Sequence, residues 1–228
     1  MKKQIPNLLT LLNLFCGIIA LRYASSQAFD WALFWFFLGI TLDFFDGFVA
    51  RILKVSSPLG KELDSLADLV TSGLVPGQVM YWLISYSAAH YGQTLHFFLP
   101  FAGYLITLAS AYRLACFNLD TRQSDSFIGL PTPANALFII SLGLIVKQAV
   151  YLKAIPLWGT LLITLASCVL LNSNLRLLAL KFKDFSIKNN LLKYLLLLIS
   201  VVLLVLMRES AFPLIILEIG RASCRERV

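Results

Sequence analysis

The chain has 228 residues, of which 59% are hydrophobic and only 14% are charged, and its mean hydropathy is +0.81. A soluble globular domain carries roughly 25% charged residues, so this composition excludes an ordinary soluble fold and favours a polytopic membrane protein. The formal net charge of +7 is explained by basic loops that face anionic lipid headgroups. Nucleic-acid binding is not expected, because no basic face with interleaved aromatic residues occurs outside the predicted membrane loops.

Hydrophobic runs of roughly 20 residues, long enough to cross a bilayer, follow one another along the chain. In lipid such runs form helices, because the backbone groups have no water to pair with. We therefore predict an all-α, polytopic transmembrane bundle in a single integral membrane domain, 1–219, with a six-helix core at about 8–173 and one or two extra helices at about 190–219. Residues 220–228 are polar and arginine-rich and are expected to be a non-native tail. The runs fall at about 8–24, 28–50, 63–85, 97–117, 133–150, 155–173 and 190–207, with a shorter run at 211–219.

The basic residues predict the orientation of the bundle. With the N-terminus in the cytoplasm, twelve lysines and arginines fall on the inner side and four on the outer side, leaving aside three arginines in the tail. This is the bias of the positive-inside rule. It places the connection between the second and third helices on the cytoplasmic side.

An unusual concentration of aspartates lies at that connection, in the segment LDFFDGFVARILKVSSPLGKELDSLADLV. Ionisable residues within membrane segments are costly, so a cluster of them indicates a functional site. On a helix, the spacing of the first group places its members on one broad face, and the second group at i, i+4 and i+8 also shares one face. The first group is Asp43, Asp46, Gly47, Ala50 and Arg51, and the second is Gly60, Asp64 and Asp68.

Two such faces, joined by a short turn, predict a compact polyanionic pocket. Four carboxylates this close need compensating charge, and Mg²⁺ or Mn²⁺ would supply it through oxygen ligands while leaving room for phosphate oxygens. Gly47, Ala50 and Gly60 remove bulk beside the carboxylates, and the planar guanidinium of Arg51 suits a phosphate. The pattern thus favours a pocket for a diphosphate bridged by two divalent cations.

These residues are also compatible with roles that involve no diphosphate. A single aspartate could be a hydrogen-bonded packing residue, and small residues such as Gly47 and Ala50 could mark only a helix contact. An ion-coupled transporter would also carry intramembrane carboxylates, near the midplane and in repeated, broken helices. No such repeat is visible in the sequence.

The full spacing, D-x2-D-G-x2-A-R-x8-G-x3-D-x3-D, resembles the signature of the CDP-alcohol phosphatidyltransferases at every defined position. Members of that family are integral membrane enzymes that displace CMP from a CDP-linked donor by an alcohol. The resemblance implies that Asp43, Asp46, Asp64 and Asp68 hold two divalent cations and that Asp68 is also the general base. It further implies a homodimer and a CDP pocket shaped by Gly47, Ala50, Arg51 and Gly60.

Segments outside this motif resemble the bacterial, membrane-integral phosphatidylserine synthases. They are the opening IPNLLTLLNLFCG, then YRLACFN at 112–118 and FIGLPTPA at 127–134, with Cys116 where that group usually has a basic residue. The resemblance implies a bacterial inner-membrane enzyme, with its active site facing the cytoplasm, that joins CDP-diacylglycerol to L-serine. The same chemistry with glycerol 3-phosphate or inositol phosphate as acceptor is the alternative.

Further candidate residues lie at the predicted inner ends of the helices. Arg113, Asn118 and Arg122 could hold the carboxylate of an amino-acid acceptor, although the positive-inside rule alone would also explain the two arginines. Asn7 and Thr10 share one face of the first helix with Asn13 and could contact the nucleotide. They could equally be hydrogen-bonding groups between helices.

Overall fold

A computed structural model describes residues 4–55, 57–91, 97–119, 129–148 and 155–173 of the chain. Within these ranges the regular structure is helical throughout, which confirms the predicted fold class. The predicted extra helices at 190–219 and the polar tail at 220–228 lie outside the described residues.

The helices correspond closely to the hydrophobic runs of the sequence. A π segment joins α3 to α4, so that residues 58–90 form one continuous helical rod with a π-helical middle. A 3₁₀ segment precedes α5. The elements are α1 (Gln4–Ser25), α2 (Phe29–Ile52), α3 (Pro58–Asp68), the π segment (Leu69–Leu74), α4 (Val75–His90), a 3₁₀ segment (Leu99–Tyr104), α5 (Leu105–Leu119), α6 (Thr132–Gln148) and α7 (Leu157–Asn172).

Three of these stretches are long and apolar enough to cross a membrane: Gln4–Ser25, Phe29–Ile52 and Leu99–Leu119. The helices α6 and α7 are shorter but also apolar. Together they identify a membrane protein, since helices of this length and composition match the thickness of a bilayer.

The turn between α2 and α3 places the two aspartate-bearing segments side by side. Lys54 has a φ of 51° after the end of α2, which turns the chain back. Ser57 is the N-cap of α3, and its Oγ accepts a hydrogen bond of 3.0 Å from the backbone N of Gly60. Pro58 follows at the first helical position, where its missing N–H is not needed. We call this end of the bundle the aspartate end.

The apolar core lies toward the opposite end, which we call the far end and which contains the α1–α2 turn. Its large buried side chains include Phe29, Phe36, Met80 and Ile140, each at 0% exposure. Two polar contacts close the far end: Lys147 donates to the backbone O of Gln27, and Gln148 Nε2 donates to Asp30 Oδ1 over 3.0 Å. Some of the buried polar side chains lie around the aspartates, among them Thr10, Asn13 and Thr71.

Helix α2 has an exposed aromatic surface beside its aspartates. Phe44, Phe45 and Phe48 are 63%, 47% and 47% exposed, and the rings of Phe44 and Phe48 stack. Exposed aromatic side chains on a membrane helix are suited to contact with lipid. The same turns of α2 therefore carry carboxylates on one side and an apolar surface on the other.

Helix α4 and the 3₁₀ segment approach so closely at Gly103 that a side chain there would collide with backbone. A Cβ at Gly103 would lie 2.4 Å from Tyr81 N and 2.8 Å from Met80 C. Because backbone atoms cannot move aside as a flexible side chain can, Gly103→Ala is expected to destabilise the fold by about 1–3 kcal/mol. The measurement is the Tm of the purified protein in detergent.

Gly47→Ala is the matched control for that prediction. A Cβ at Gly47 would meet only the Arg51 guanidinium, at 3.8 Å. Since glycine within a helix is about 1 kcal/mol less favourable than alanine, Gly47→Ala should keep or raise the Tm. A Tm for Gly103→Ala as high as that of the unaltered protein would contradict the close packing.

Candidate functional site

Three aspartates from two helices come together at the aspartate end. Carboxylate oxygens of Asp43, Asp46 and Asp64 all lie within 4.8 Å of one another. Asp43 and Asp46 share a face of α2 because they are three residues apart, and the carboxyl group of Asp64 on α3 is within hydrogen-bonding distance of that of Asp43. Asp46 is 7% exposed, whereas Asp43 and Asp64 are half-buried. We call these three residues the triad.

Asp68 lies beside the triad rather than within it. It is one turn after Asp64, at the end of α3, and it is half-buried. It is close enough to Asp43 and Asp64 for charge repulsion and to Arg113 on α5 for attraction. The sequence grouped all four aspartates as one ligand set, whereas the structure brings three close together and places the fourth between them and a buried cation.

A cavity of about 360 Å³ opens against one side of the triad. Five of the six residues predicted to bind the nucleotide line it: Asn7, Thr10, Gly47, Ala50 and Gly60. The sixth, Arg51, is exposed, and its Nε donates a 3.0 Å hydrogen bond to Gly47 O. The full lining is Pro6, Asn7, Thr10, Asp46, Gly47, Ala50, Val55, Ser57, Gly60, Lys61 and Asp64.

Two glycines keep the wall of this cavity free of side chains. A Cβ at Gly60 would lie 3.1 Å from both Asn7 Oδ1 and Ser57 Oγ, so it would crowd the polar groups that line the wall. At Gly47, the wall has open space where a side chain would project. A phosphate group can therefore approach the backbone at Gly47.

Helix α1 carries no acidic residue, yet it orients the aspartates. The hydroxyl of Thr10 donates to Asp46 Oδ2 over 2.5 Å, and Asn13 Nδ2 donates to Asp43 Oδ1 over 3.3 Å. Thr71 in the π segment donates to Asn13 Oδ1 over 3.1 Å. Asn13, which is 0% exposed, also lies within hydrogen-bonding reach of Asp68. One amide therefore connects α1, α2 and the α3–π rod at the carboxylates.

Because Asn13 holds two of the aspartates in place, Asn13→Leu is expected to lower turnover about a hundredfold through misplacement of those groups. The substitution is close in size, so the helices should still pack. The measurement is turnover in detergent together with the Tm.

Gln148→Leu is the control for Asn13→Leu, because Gln148 also donates an amide hydrogen bond to an aspartate, Asp30, but at the far end. Its turnover should match that of the unaltered protein. Equal losses of turnover in the two variants, or a loss explained by a collapsed Tm in Asn13→Leu, would contradict a positioning role for Asn13.

The residues predicted to bind the acceptor have different positions. Arg113 faces Asp68. Asn118, at the end of α5, instead forms hydrogen bonds with α3. Its Nδ2 donates to Ser65 Oγ over 2.8 Å, and its backbone O accepts from Lys61 Nζ over 2.6 Å. Arg122 lies outside the described residues.

Sequence reasoning missed some residues of the cavity, of which Lys61 is the most important. It lines a cavity that also contains Asp46 and Asp64, while its Nζ donates to Asn118 O. A signal was present, since Lys61 directly follows Gly60 and precedes Asp64 by three residues, which is nearly one helical turn. In the sequence-based prediction this lysine contributed only to membrane orientation.

The chemistry of the triad fits a divalent metal ion. Three carboxylates converge within a small volume and present only oxygen donors. Hard cations such as Mg²⁺ and Mn²⁺ prefer such ligands and readily share their coordination with phosphate oxygens. The triad could therefore bind a divalent cation next to the cavity.

Comparisons with known proteins identify the family of this chain. A family model described as "CDP-alcohol phosphatidyltransferase" matches residues 3–170. The chain is similar to proteins named CDP-diacylglycerol–serine O-phosphatidyltransferase. It is 37% identical over 137 residues to one from Helicobacter pylori (strain J99), and the match covers 59% of this chain and 55% of that protein. It is 37% identical over 142 residues to one from Bacillus subtilis, covering 60% and 74%, and 32% identical over 164 residues to one from Saccharomyces cerevisiae, covering 65% and 56%. The matched region thus spans about half the length of the Helicobacter relative.

Proposed function

Since the chain belongs to the CDP-alcohol phosphatidyltransferase family, we propose that it transfers a phosphatidyl group from CDP-diacylglycerol to the hydroxyl group of L-serine, giving phosphatidylserine and CMP. The observation that carries this proposal is the triad, two of whose members, Asp46 and Asp64, line a cavity together with glycines and small polar residues. The names of these relatives support serine as the acceptor.

In this proposal the cavity receives the cytidine diphosphate portion of the donor. Gly47 allows the diphosphate to approach the backbone, Gly60 keeps bulk out of the cavity wall, and Lys61 and Arg51 supply positive charge near its oxygens. Asn7 and Thr10 provide polar contacts along the α1 side of the same cavity. The acyl chains of the donor stay in lipid, beside the exposed aromatic surface of α2.

The proposed ligands for two divalent cations, Mg²⁺ or Mn²⁺, are Asp43, Asp46, Asp64 and Asp68. Such cations, when bound, would neutralise the phosphate charge and make the phosphorus easier to attack. Thr10 and Asn13 orient Asp46 and Asp43 through the hydrogen bonds described above. The chain therefore provides a pre-arranged set of oxygen donors rather than one that must assemble on binding.

The proposed reaction is a single displacement at the β-phosphorus of the donor. Asp68 takes the proton from the serine hydroxyl as that oxygen forms a bond to phosphorus. The bond between the β-phosphorus and the bridging oxygen breaks, and CMP leaves with that oxygen. Arg113, beside Asp68, is placed to hold the serine carboxylate. One positive charge suits the single carboxylate of serine better than the doubly charged phosphate of glycerol 3-phosphate or inositol phosphate.

We place the aspartate end in the cytoplasm, in line with the excess of lysine and arginine on that side. L-serine and CMP would then exchange with the cytosol, while the donor and the lipid product would move within the membrane. A homodimer is part of the same proposal and follows from the family resemblance.

The test is an acceptor assay on membranes that contain the protein. CDP-diacylglycerol and Mn²⁺ or Mg²⁺ are incubated with one labelled acceptor at a time, and both CMP release and the lipid product are measured. CMP release and labelled phosphatidylserine with serine alone are expected. A lipid product from glycerol 3-phosphate or inositol phosphate instead would replace the acceptor, and absence of CMP release with every alcohol from folded protein would refute the proposed reaction.

A further inference from the structure

The rod formed by α3, the π segment and α4 runs antiparallel to α5, and polar contacts join the two at successive levels. At the aspartate end, Asn118 bonds Ser65. Farther along the rod, Thr107 Oγ1 donates to Gly73 O over 2.9 Å, and Tyr104 donates to Gln78. These levels have complete hydrogen bonds, so they hold the two elements together without any ligand.

Between these hydrogen-bonded levels lie polar atoms that are buried and have no hydrogen-bond partner among the described residues. They comprise Arg113 Nε and Ser110 Oγ on α5 and Ser72 Oγ in the π segment. Arg113 is near enough to Asp68 for charge attraction, and Ser110 packs against Gly73, where a Cβ on the glycine would come 3.2 Å from the Ser110 Cβ. The unpaired groups therefore lie immediately beyond Asp68, on the next turns of the same two elements.

A fourth unpaired group comes from α6, which packs against the π segment. Asn135, in the first turn of α6, is 1% exposed, and its Nδ2 has no partner among the described residues. The start of this helix is anchored, because Leu130 N donates to Leu170 O over 3.0 Å. Asn135 therefore belongs to a fixed part of the bundle. We call Ser72, Ser110, Arg113 and Asn135 the unpaired cluster.

Buried polar groups in proteins are nearly always hydrogen-bonded, so four unpaired groups on the π segment and on the two helices packed against it need an explanation. Ser72 and Ser110 are also 1% and 0% exposed, so bulk solvent does not satisfy them. An independent observation points to the same place: the backbone changes to a π-helix immediately after Asp68. Short π-helical segments are rare and are frequent at functional sites.

Resting on the proposed function, we infer that the unpaired cluster is the binding site for the amino-acid acceptor. It lies beyond Asp68, whereas the nucleotide cavity lies against the triad. Arg113 and Asn135 offer N–H donors to the acceptor carboxylate, and the hydroxyls of Ser72 and Ser110 can donate or accept beside it. The acceptor hydroxyl then lies toward Asp68. Selectivity for an amino acid arises from these carboxylate contacts.

The test uses single substitutions in the full-length protein: Ser110→Ala, Asn135→Ala and Arg113→Gln. Each should raise the KM for L-serine, by about tenfold or more for Asn135 and Arg113, because a buried hydrogen bond to a charged group is lost. The KM for CDP-diacylglycerol should change by less than about threefold, since a hydrogen-bond loss acts on the ligand that makes it. Serine should also be preferred over its carboxylate-free analogue serinol by a smaller factor in Asn135→Ala and Arg113→Gln than in the unaltered protein.

Ser141→Ala is the matched control for Ser110→Ala. Ser141 is equally buried, on α6, but its hydroxyl donates to Leu137 O of its own helix over 2.7 Å. Its KM for serine should equal that of the unaltered protein. As a second readout independent of turnover, L-serine added with CMP should raise the Tm of the unaltered protein and of Ser141→Ala more than that of Asn135→Ala.

The outcomes separate this inference from the proposed function. If the unaltered protein makes phosphatidylserine but the variants keep the serine KM and the serinol discrimination, the inference is wrong and the function stands. A parallel rise of both KM values would show a general structural defect and would also overturn the inference. An unaltered protein that uses only a different acceptor would overturn the proposed function, and the inference with it.

Discussion

Asp68→Asn is expected to lower phosphatidyl transfer to serine by about a thousandfold, which is within the contribution of a positioned general base. Asparagine has nearly the same shape as aspartate, so the contacts of this side chain with its surroundings are preserved in size. Its amide cannot accept the hydroxyl proton. The measurement is the initial rate of CMP release at saturating serine and CDP-diacylglycerol.

Donor binding tells whether the loss in Asp68→Asn is a loss of chemistry. Asp68 is not among the residues that line the nucleotide cavity, so the rise in Tm on adding CMP without divalent cations should be retained. Transfer above about a tenth of the original rate would show that Asp68 is not the base, because removal of a general base costs at least about a hundredfold.

Asp64→Asn is expected to remove both activity and the response of the fold to divalent cations. In the triad, Asp64 lies against Asp43 and within 4.8 Å of Asp46, so three like charges share a small volume. With a chelator present, removing one of these charges should raise the Tm, because repulsion is relieved. With Mn²⁺ present, the unaltered protein should gain stability by roughly 2.7 kcal/mol at a hundred times the Kd, and Asp64→Asn should gain much less.

Asp64→Asn should therefore have the higher Tm with a chelator, and the unaltered protein should have the higher Tm with Mn²⁺. Neither measurement depends on turnover. Asp30→Asn is the control, since Asp30 is exposed at the far end and bonds only Gln148 in the part of the chain described. It should respond to Mn²⁺ as the unaltered protein does. An equal Mn²⁺ response in Asp64→Asn would exclude Asp64 as a ligand of that cation.

Hydropathy was sufficient to predict the helices, because a membrane-spanning helix must have a certain length and must be apolar. The predicted runs at 28–50 and 133–150 correspond to Phe29–Ile52 and Thr132–Gln148. The π segment could not be predicted in this way. Its backbone register depends on how Thr71 and Gly73 pack against α1 and α5, which is a property of the tertiary structure.

The aspartate site was predictable because its residues have a fixed spacing on two adjacent helices. The different positions of the polar residues of α1 were not predictable. Asn7, Thr10 and Asn13 share one face in the sequence, but the structure places the first two at the cavity and buries the third among Asp43, Asp68 and Thr71. Sequence spacing shows which side chains share a direction, whereas depth within the bundle depends on the neighbouring helices.

The aromatic surface of α2 has a consequence for how the protein would meet the proposed lipid donor. Phe44, Phe45 and Phe48 are exposed on the same turns that carry Asp43 and Asp46. A donor with its chains in the bilayer therefore reaches the carboxylates by diffusion in two dimensions. Its effective concentration is its mole fraction among the surrounding lipids, so inert lipid dilutes this substrate even when the amount per volume of suspension is constant.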